Sequence, residues 1–186
     1  MSTLSYIKNF LTDKNVASIT PSSTACVKHV CKKIDFNKKF VIFEYGPGTG
    51  VFSRYLLDHM TKDSRLILIE LNNNFVEKLR EEFIDERVRI FDDSAEEVGT
   101  IAENLGIENA DYVLSGIPFS FLEDDQKLNI LQQTYDLLRA GGKFLAYQTS
   151  GHLKVPIRKI FGQVHTELEL LNIPPMLVYE AVKSAN

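Results

Sequence analysis

A chain of 186 residues, 44% hydrophobic and 25% charged, has the size and composition of one soluble domain with a sizeable core, which excludes a disordered chain. No apolar run approaches the roughly 18 residues that a membrane-crossing helix needs, and Lys8 and Asn9 interrupt any apolar core of a secretory signal, so a single cytoplasmic domain over residues 1–186 is expected. The net charge of −4 is unevenly spread: residues 1–40 hold seven lysines against Asp13 and Asp35, a net +5, which leaves −9 for the remainder.

Within the basic segment, Leu4, Ile7 and Leu11 fall at helical spacing with Phe10 beside them, which predicts a short amphipathic helix. Two roles are open to it. It can lie on an anionic membrane, where each surface lysine contributes on the order of 1 kcal/mol, or pack on its own domain with a solvated basic face. Pro21 then breaks the chain, Ser22 and Ser23 offer a cap, and Ala25, Val27, Val30, Cys31 and Ile34 supply the apolar side of the next helix. Residues 1–36 therefore read as a helical lid or membrane-contact segment, with an ordinary capped helix as the plainer reading of 21–36. Cys26 and Cys31, five apart on that helix, are expected on different faces as reduced structural thiols.

Residues 40–43 are apolar throughout, as in a strand covered by helices on both faces. They lead into Glu44 and then Gly46, Gly48 and Gly50 on alternate positions. Glycine permits a sharp turn and a close approach of ligand to backbone, and residues 51–60 read as a helix whose free amides point at whatever binds. The dinucleotide fingerprint G-x-G-x-x-G is absent in either register, because Val51 or Ser53 stands where its third glycine belongs.

A second strand, Arg65–Glu70, ends in a carboxylate twenty residues past Gly50, a distance at which nucleotide-binding α/β folds place an acceptor for ribose hydroxyls. A third strand at 87–91 is followed by Asp92, Asp93 and Ser94, of which Asp93 is the candidate acceptor for an adenine amino group. After a helix at 95–105, a fourth strand at 110–114 runs into Ser115-Gly116-Ile117-Pro118-Phe119, at the strand end where an α/β sheet presents chemistry. That stiff turn can wall a substrate pocket, with Ser115 and backbone carbonyls accepting from an amine, or can simply join strand to helix.

An amphipathic helix at 124–138 is stopped by Ala140-Gly141-Gly142, and 143–149 form a fifth strand. Glu123, Asp124 and Asp125 suit the dipole of that helix better than a metal. The basic group His152, Lys154, Arg158 and Lys159 has no acid within it. Residues 163–172 and 176–183 form two strands across Pro174-Pro175, a closing hairpin that completes a seven-stranded sheet. The four histidines have no metal-ligand spacing, and no metal is expected.

The E-x-G-x-G-x-G loop resembles the first motif of Rossmann-like, class I S-adenosylmethionine-dependent methyltransferases. Together with Glu70, Asp93, Ser115 to Phe119, Leu138 to Gly142, Ile173-Pro174-Pro175, Phe10-Leu11 and Pro21-Ser22-Ser23, it makes nearly the whole chain resemble bacterial phospholipid N-methyltransferases, which are similar in turn to ribosomal RNA adenine dimethylases. The resemblance implies S-adenosyl-L-methionine as cofactor, with Glu44, Gly46, Gly48 and Gly50 at its methionine end, Glu70 at the ribose, and Asp93 with Ser94 at the adenine. It also implies a phospholipid amine such as phosphatidylethanolamine as acceptor, met at the inner membrane surface by a peripheral protein and faced by Ser115, Gly116, Ile117, Pro118 and Phe119. The adenine dimethylases carry asparagine where this chain has Gly116, and the acidic remainder also speaks against nucleic acid. Transfer to RNA adenine or to a soluble small molecule is the alternative, and a protein that binds the cofactor without turnover is a third class.

Overall fold

A computed structural model of the chain describes residues 22–185. The amphipathic helix expected around Leu4 to Leu11 lies outside the described residues. Seven strands form one sheet: β1 (Val41–Tyr45), β2 (Arg65–Glu70), β3 (Val88–Asp92), β4 (Ala110–Ser115), β5 (Leu138–Gln148), β6 (His165–Glu169) and β7 (Met176–Val182). They lie side by side in the order β3-β2-β1-β4-β5-β7-β6. Pairing is parallel from β3 to β5, and only β7 runs against its neighbours β5 and β6. This is the Rossmann-like α/β architecture expected from the sequence, with the expected antiparallel hairpin at its C-terminal side.

Helices cover both faces. α1 (Thr24–Cys31), α2 (Val51–His59) and α3 (Asn73–Glu82) lie on one; α4 (Val98–Asn104), α5 (Asp124–Leu137) and α6 (Lys154–Phe161) lie on the other. Alternation along β1 explains the division. Ile42 meets Phe52 and Leu56 on the α2 side, whereas Phe43 and Tyr45 meet the cluster of Val98, Ile130 and Ile157. Complete burial of each such side chain contributes roughly 1.5–3 kcal/mol.

α1 begins where Ser23 caps it, its side chain accepting from the Cys26 amide. Cys26 and Cys31 are both free and both fully buried, although they sit 140° apart around the helix axis by its 3.6-residue turn. They stand on different faces, as expected, and both faces are covered because α1 is sunk into the core on those two sides. Burial pushes the Cys26 thiol up to about 11 and the Cys31 thiol higher still, so neither is a nucleophile at neutral pH. A clasp also fastens α1 to the edge of the sheet. His29 Nδ1 lies 2.7 Å from Glu169 Oε2, and its Nε2 bonds to Glu167 Oε2. Lys33 Nζ is 3.1 Å from Glu167 and 3.0 Å from Glu180, which Lys143 also meets at 2.9 Å. The His29 bond, before that of Lys33, holds the Glu167 carboxyl down at about 2.

The glycines after α5 do not delay the fifth strand as expected. The strand starts at Leu138, which pairs with Ala110, and a register shift absorbs 139–142 before Lys143 pairs with Tyr112. The helix expected at 95–105 opens with a 3-10 turn, Ala95–Glu97. No helix among the described residues is long and apolar enough to cross a membrane, and no metal-binding cluster occurs among them.

Candidate cofactor and acceptor site

The C-terminal ends of β1, β2, β3 and β4 bring the expected residues to one end of the sheet. Gly46, Gly48 and Gly50 all take positive φ, at 63°, 55° and 73°. Gly46 has a second reason to lack a side chain, since a Cβ there would stand 2.7 Å from Ile117 Cγ2. The turn is held by the Gly46 amide donating to the Ile69 carbonyl at 2.9 Å and the Gly50 amide to the Pro47 carbonyl at 2.9 Å. Gly50 is the N-cap of α2, so the first amides of that helix open toward the loop.

Glu44 and Glu70 lie beneath and beside this turn. Glu44 is fully buried; its Oε2 accepts from the Ser53 hydroxyl at 2.7 Å, while Oε1 is buried with no partner. Burial, opposed by the Ser53 bond and reinforced by the charge of Glu70, pushes its carboxyl up to about 8. Glu70 accepts from the Gly48 amide at 3.0 Å and the Asn72 amide at 2.9 Å. Burial still raises its pKa against those bonds. The second acid therefore fastens the glycine loop to the tip of β2. At the tip of β3, Asp93 Oδ1 accepts from the Ser94 amide at 2.8 Å, and Ser94 Oγ caps the following turn by accepting from the Glu96 amide at 3.2 Å.

These residues fit the sulfonium cofactor on the evidence of the fold itself. One buried carboxylate oxygen lacks a partner, and the space in front of Gly48 is open, with nothing within 4 Å of where a Cβ would be. Residues 43–144, more than half of the chain, match the family described as methyltransferase domain. The chain belongs to that family. It is an S-adenosylmethionine-dependent methyltransferase, as expected from the glycine loop and the two strand-end acids.

Similarity extends beyond the matched region. The enzyme is 26% identical over 166 residues to ornithine lipid N-methyltransferase of Singulisphaera acidiphila, covering 88% of this chain and 86% of that protein. It is 30% identical over 131 residues to malonyl-[acyl-carrier protein] O-methyltransferase 1 of Ilyobacter polytropus, of which it spans 45%. In fold it is similar to magnesium protoporphyrin IX methyltransferase of Synechocystis, with a TM-score of 0.73, 10% identity, and 99% and 98% of the two chains covered. It is likewise similar to an N-methyltransferase of Bradyrhizobium japonicum, with a TM-score of 0.67, 10% identity, and 86% and 93% covered.

On the acceptor side, the stretch from Ser115 to Phe119 divides. Ser115 is buried and its Oγ has no partner; it shares the level of Tyr45 and Ala146, so it faces the α4, α5 and α6 side. Phe119 is fully buried in that same core, which corrects the expectation that it faces an amine. Gly116, Ile117 and Pro118 remain partly open.

Gly116 is explained by a residue that sequence reasoning passed over. A Cβ at 116 would stand 2.4 Å from the Tyr147 hydroxyl oxygen and 3.0 Å from the Gly46 carbonyl oxygen. Tyr147 comes from the end of β5, stacks on Phe52 of α2 at 4.3 Å and 21°, and hydrogen-bonds the Ser22 side chain. Burial first, and then the charges of Glu44 and the two thiols, raise its pKa well above that of a free phenol. The polar group at this corner is thus the neutral phenol of Tyr147, brought in from β5. Nothing in the spacing around Tyr147 signalled this, and Ser53 was equally silent in the first turn of α2.

Proposed function

We propose that this enzyme methylates the amine of a membrane lipid, such as phosphatidylethanolamine or ornithine lipid. The observation that carries the reading is the similarity, over 88% of this chain and 86% of its relative, to an ornithine lipid N-methyltransferase. The acceptor corner supports it. Gly116, Ile117, Pro118 and the Tyr147 phenol form an uncharged wall, and an amine stripped of water against it loses its proton more readily, because desolvation disfavours the charged form. A neutral amine needs alignment more than a dedicated base.

The cofactor supplies an electrophilic methyl group when bound. Glu44 and the glycine loop would hold its methionine end, Glu70 the ribose, and Asp93 with Ser94 the adenine. The Tyr147 hydroxyl would orient the incoming nitrogen, and the buried Ser115 hydroxyl would support the turn rather than meet the amine. Production of S-adenosylhomocysteine with vesicles of phosphatidylethanolamine, with vesicles of ornithine lipid, with RNA and with no acceptor tests the reading. Lipid-dependent turnover is expected. Turnover on RNA alone, or on none of these, overturns the lipid assignment.

A further inference from the structure

The β6–β7 connection, residues 170–175, is built inside out. Asn172, only 1% exposed, accepts from the Ser23 amide through Oδ1 at 2.8 Å and donates through Nδ2 to the Pro174 carbonyl at 2.9 Å. Glu169 Oε1 turns inward to accept from the Leu171 amide at 2.7 Å. The aliphatic side chains between these anchors face water: Leu170 is 67% exposed, Leu171 75% and Ile173 81%. A loop meant for water ordinarily does the reverse, and a contiguous aliphatic tip of this kind marks an interaction surface.

Its position in the fold says what it meets. β6 ends level with the end of β5, across β7, since Glu169 pairs with Met176 and Gln148 with Leu177. The tip therefore projects from the end of the sheet that carries Gly116 and Tyr147. The acids of the edge strand are engaged, Glu167 and Glu169 by His29 and Lys33. At the head of α5, Glu123 is held in a capping box with Gln126, and Asp124 by Lys127 at 2.8 Å. α6, which follows the end of β5 and packs on the face of α4 and α5, presents Lys154, Arg158 and Lys159 and contains no acid.

We propose that Leu170, Leu171 and Ile173 enter the interface of an anionic bilayer, with Lys154, Arg158 and Lys159 as their cationic flank, so that the enzyme sits with its acceptor corner toward the lipid. Aliphatic insertion beside surface cations is the chemistry of reversible attachment to such membranes. The inference rests on the lipid reading of the acceptor.

The test is flotation of the full chain with vesicles of phosphatidylcholine containing phosphatidylglycerol, and with phosphatidylcholine alone. The combined variant Leu170→Ser, Leu171→Ser, Ile173→Ser is expected to bind the mixed vesicles about tenfold or more weakly, with Tm and oligomeric state unchanged and with turnover on a detergent-dispersed amino lipid retained. Lys154→Glu with Arg158→Glu and Lys159→Glu is expected to lose only the preference for phosphatidylglycerol. Unchanged flotation of the serine variant overturns the proposal. So does a fall in its Tm or a change in its oligomeric state, because residues 1–21 or a second copy then cover the tip. Flotation as expected without turnover on any lipid sinks the acceptor assignment alone and leaves the docking surface standing.

Discussion

Replacing Gly116 by alanine puts a methyl carbon 2.4 Å from the Tyr147 hydroxyl oxygen, 3.0 Å from Tyr147 Cζ and 3.0 Å from the Gly46 carbonyl oxygen, all inside the 3.4 Å at which ordinary contact begins. Neither neighbour yields easily. Tyr147 is stacked on Phe52 and paired in register with Val178, and Gly46 is tied to Ile69 through its amide. Overpacking of this kind costs about 1–3 kcal/mol. In a domain of this length that lowers Tm by about 2–4 °C for each kcal/mol, a fall of about 2–12 °C. Tyr147→Phe removes the closest of the three contacts, so Gly116→Ala is expected to cost about 1 kcal/mol less in that background than in the wild type. Thermal unfolding of the two single variants, the double variant and the wild type closes the cycle. A Gly116→Ala protein as stable as the wild type, or costs that simply add, would refute the view that the tyrosine fills the space a side chain at 116 would need.

Glu70→Ala strips the half-buried Gly48 amide and the buried Asn72 amide of their acceptor, at about 1–3 kcal/mol. It is expected to weaken S-adenosylmethionine by more than about tenfold in calorimetry; an unchanged Kd removes the ribose assignment. Glu44 holds its proton to about pH 8 in the folded protein but only to the ordinary carboxylate range when unfolded. Its contribution to stability is therefore fully present at low pH and is lost as pH rises through about 8. Glu44→Gln, which cannot ionise, should gain stability relative to the wild type between pH 5 and pH 9, and a pH-independent difference in Tm contradicts the burial argument. Tyr147→Phe should lower kcat on lipid by about tenfold, the worth of one positioning hydrogen bond, with cofactor Kd within about twofold; a kcat equal to wild type ends the orienting role. His29→Ala should loosen α1 from β6 and flatten the acid limb of the stability curve, because Glu167 then loses the partner that chiefly depresses it; chemical denaturation at pH 3 and pH 7 reads both effects.

Much of this architecture is legible in the chain because local and global signals agree there. The strand Arg65–Glu70 is read to the residue, and α5 to within one. Where the sequence misleads, a physical reason is at hand. Ala140-Gly141-Gly142 reads as a helix stop, but α5 has already ended at Leu137 and glycine at φ 73° suits the irregularity inside β5, so the strand begins earlier than that reading suggests. α3 has only Val76 and Leu79 buried, too few to give a period, and α6 carries a proline in its first turn that hides the spacing of Leu153, Ile157 and Phe161. The strand-end acids and glycines of the candidate site were visible because they fall at fixed spacings on the tips of successive strands. Tyr147 was not, since it matters only through Phe52 and Gly116, far away in the chain; Ser53 matters through Glu44, nine residues back, but a serine in a first helical turn reads as an ordinary polar residue.

The position of β7 has a consequence for how the molecule is assembled. Although β7 follows β6 in the chain, it stands between β6 and β5 in the sheet. As the chain emerges, β6 has no edge to join until β7 has docked on β5. The first turn of α1 waits as well, because the Ser23 amide takes its acceptor from Asn172, 149 residues later. Helix α1 and the final hairpin therefore close together, late and over long loops, the kind of non-local step that sets a slow folding rate. Until then β5 presents an open edge, and that interval is when this protein is most exposed to pairing with the wrong strand.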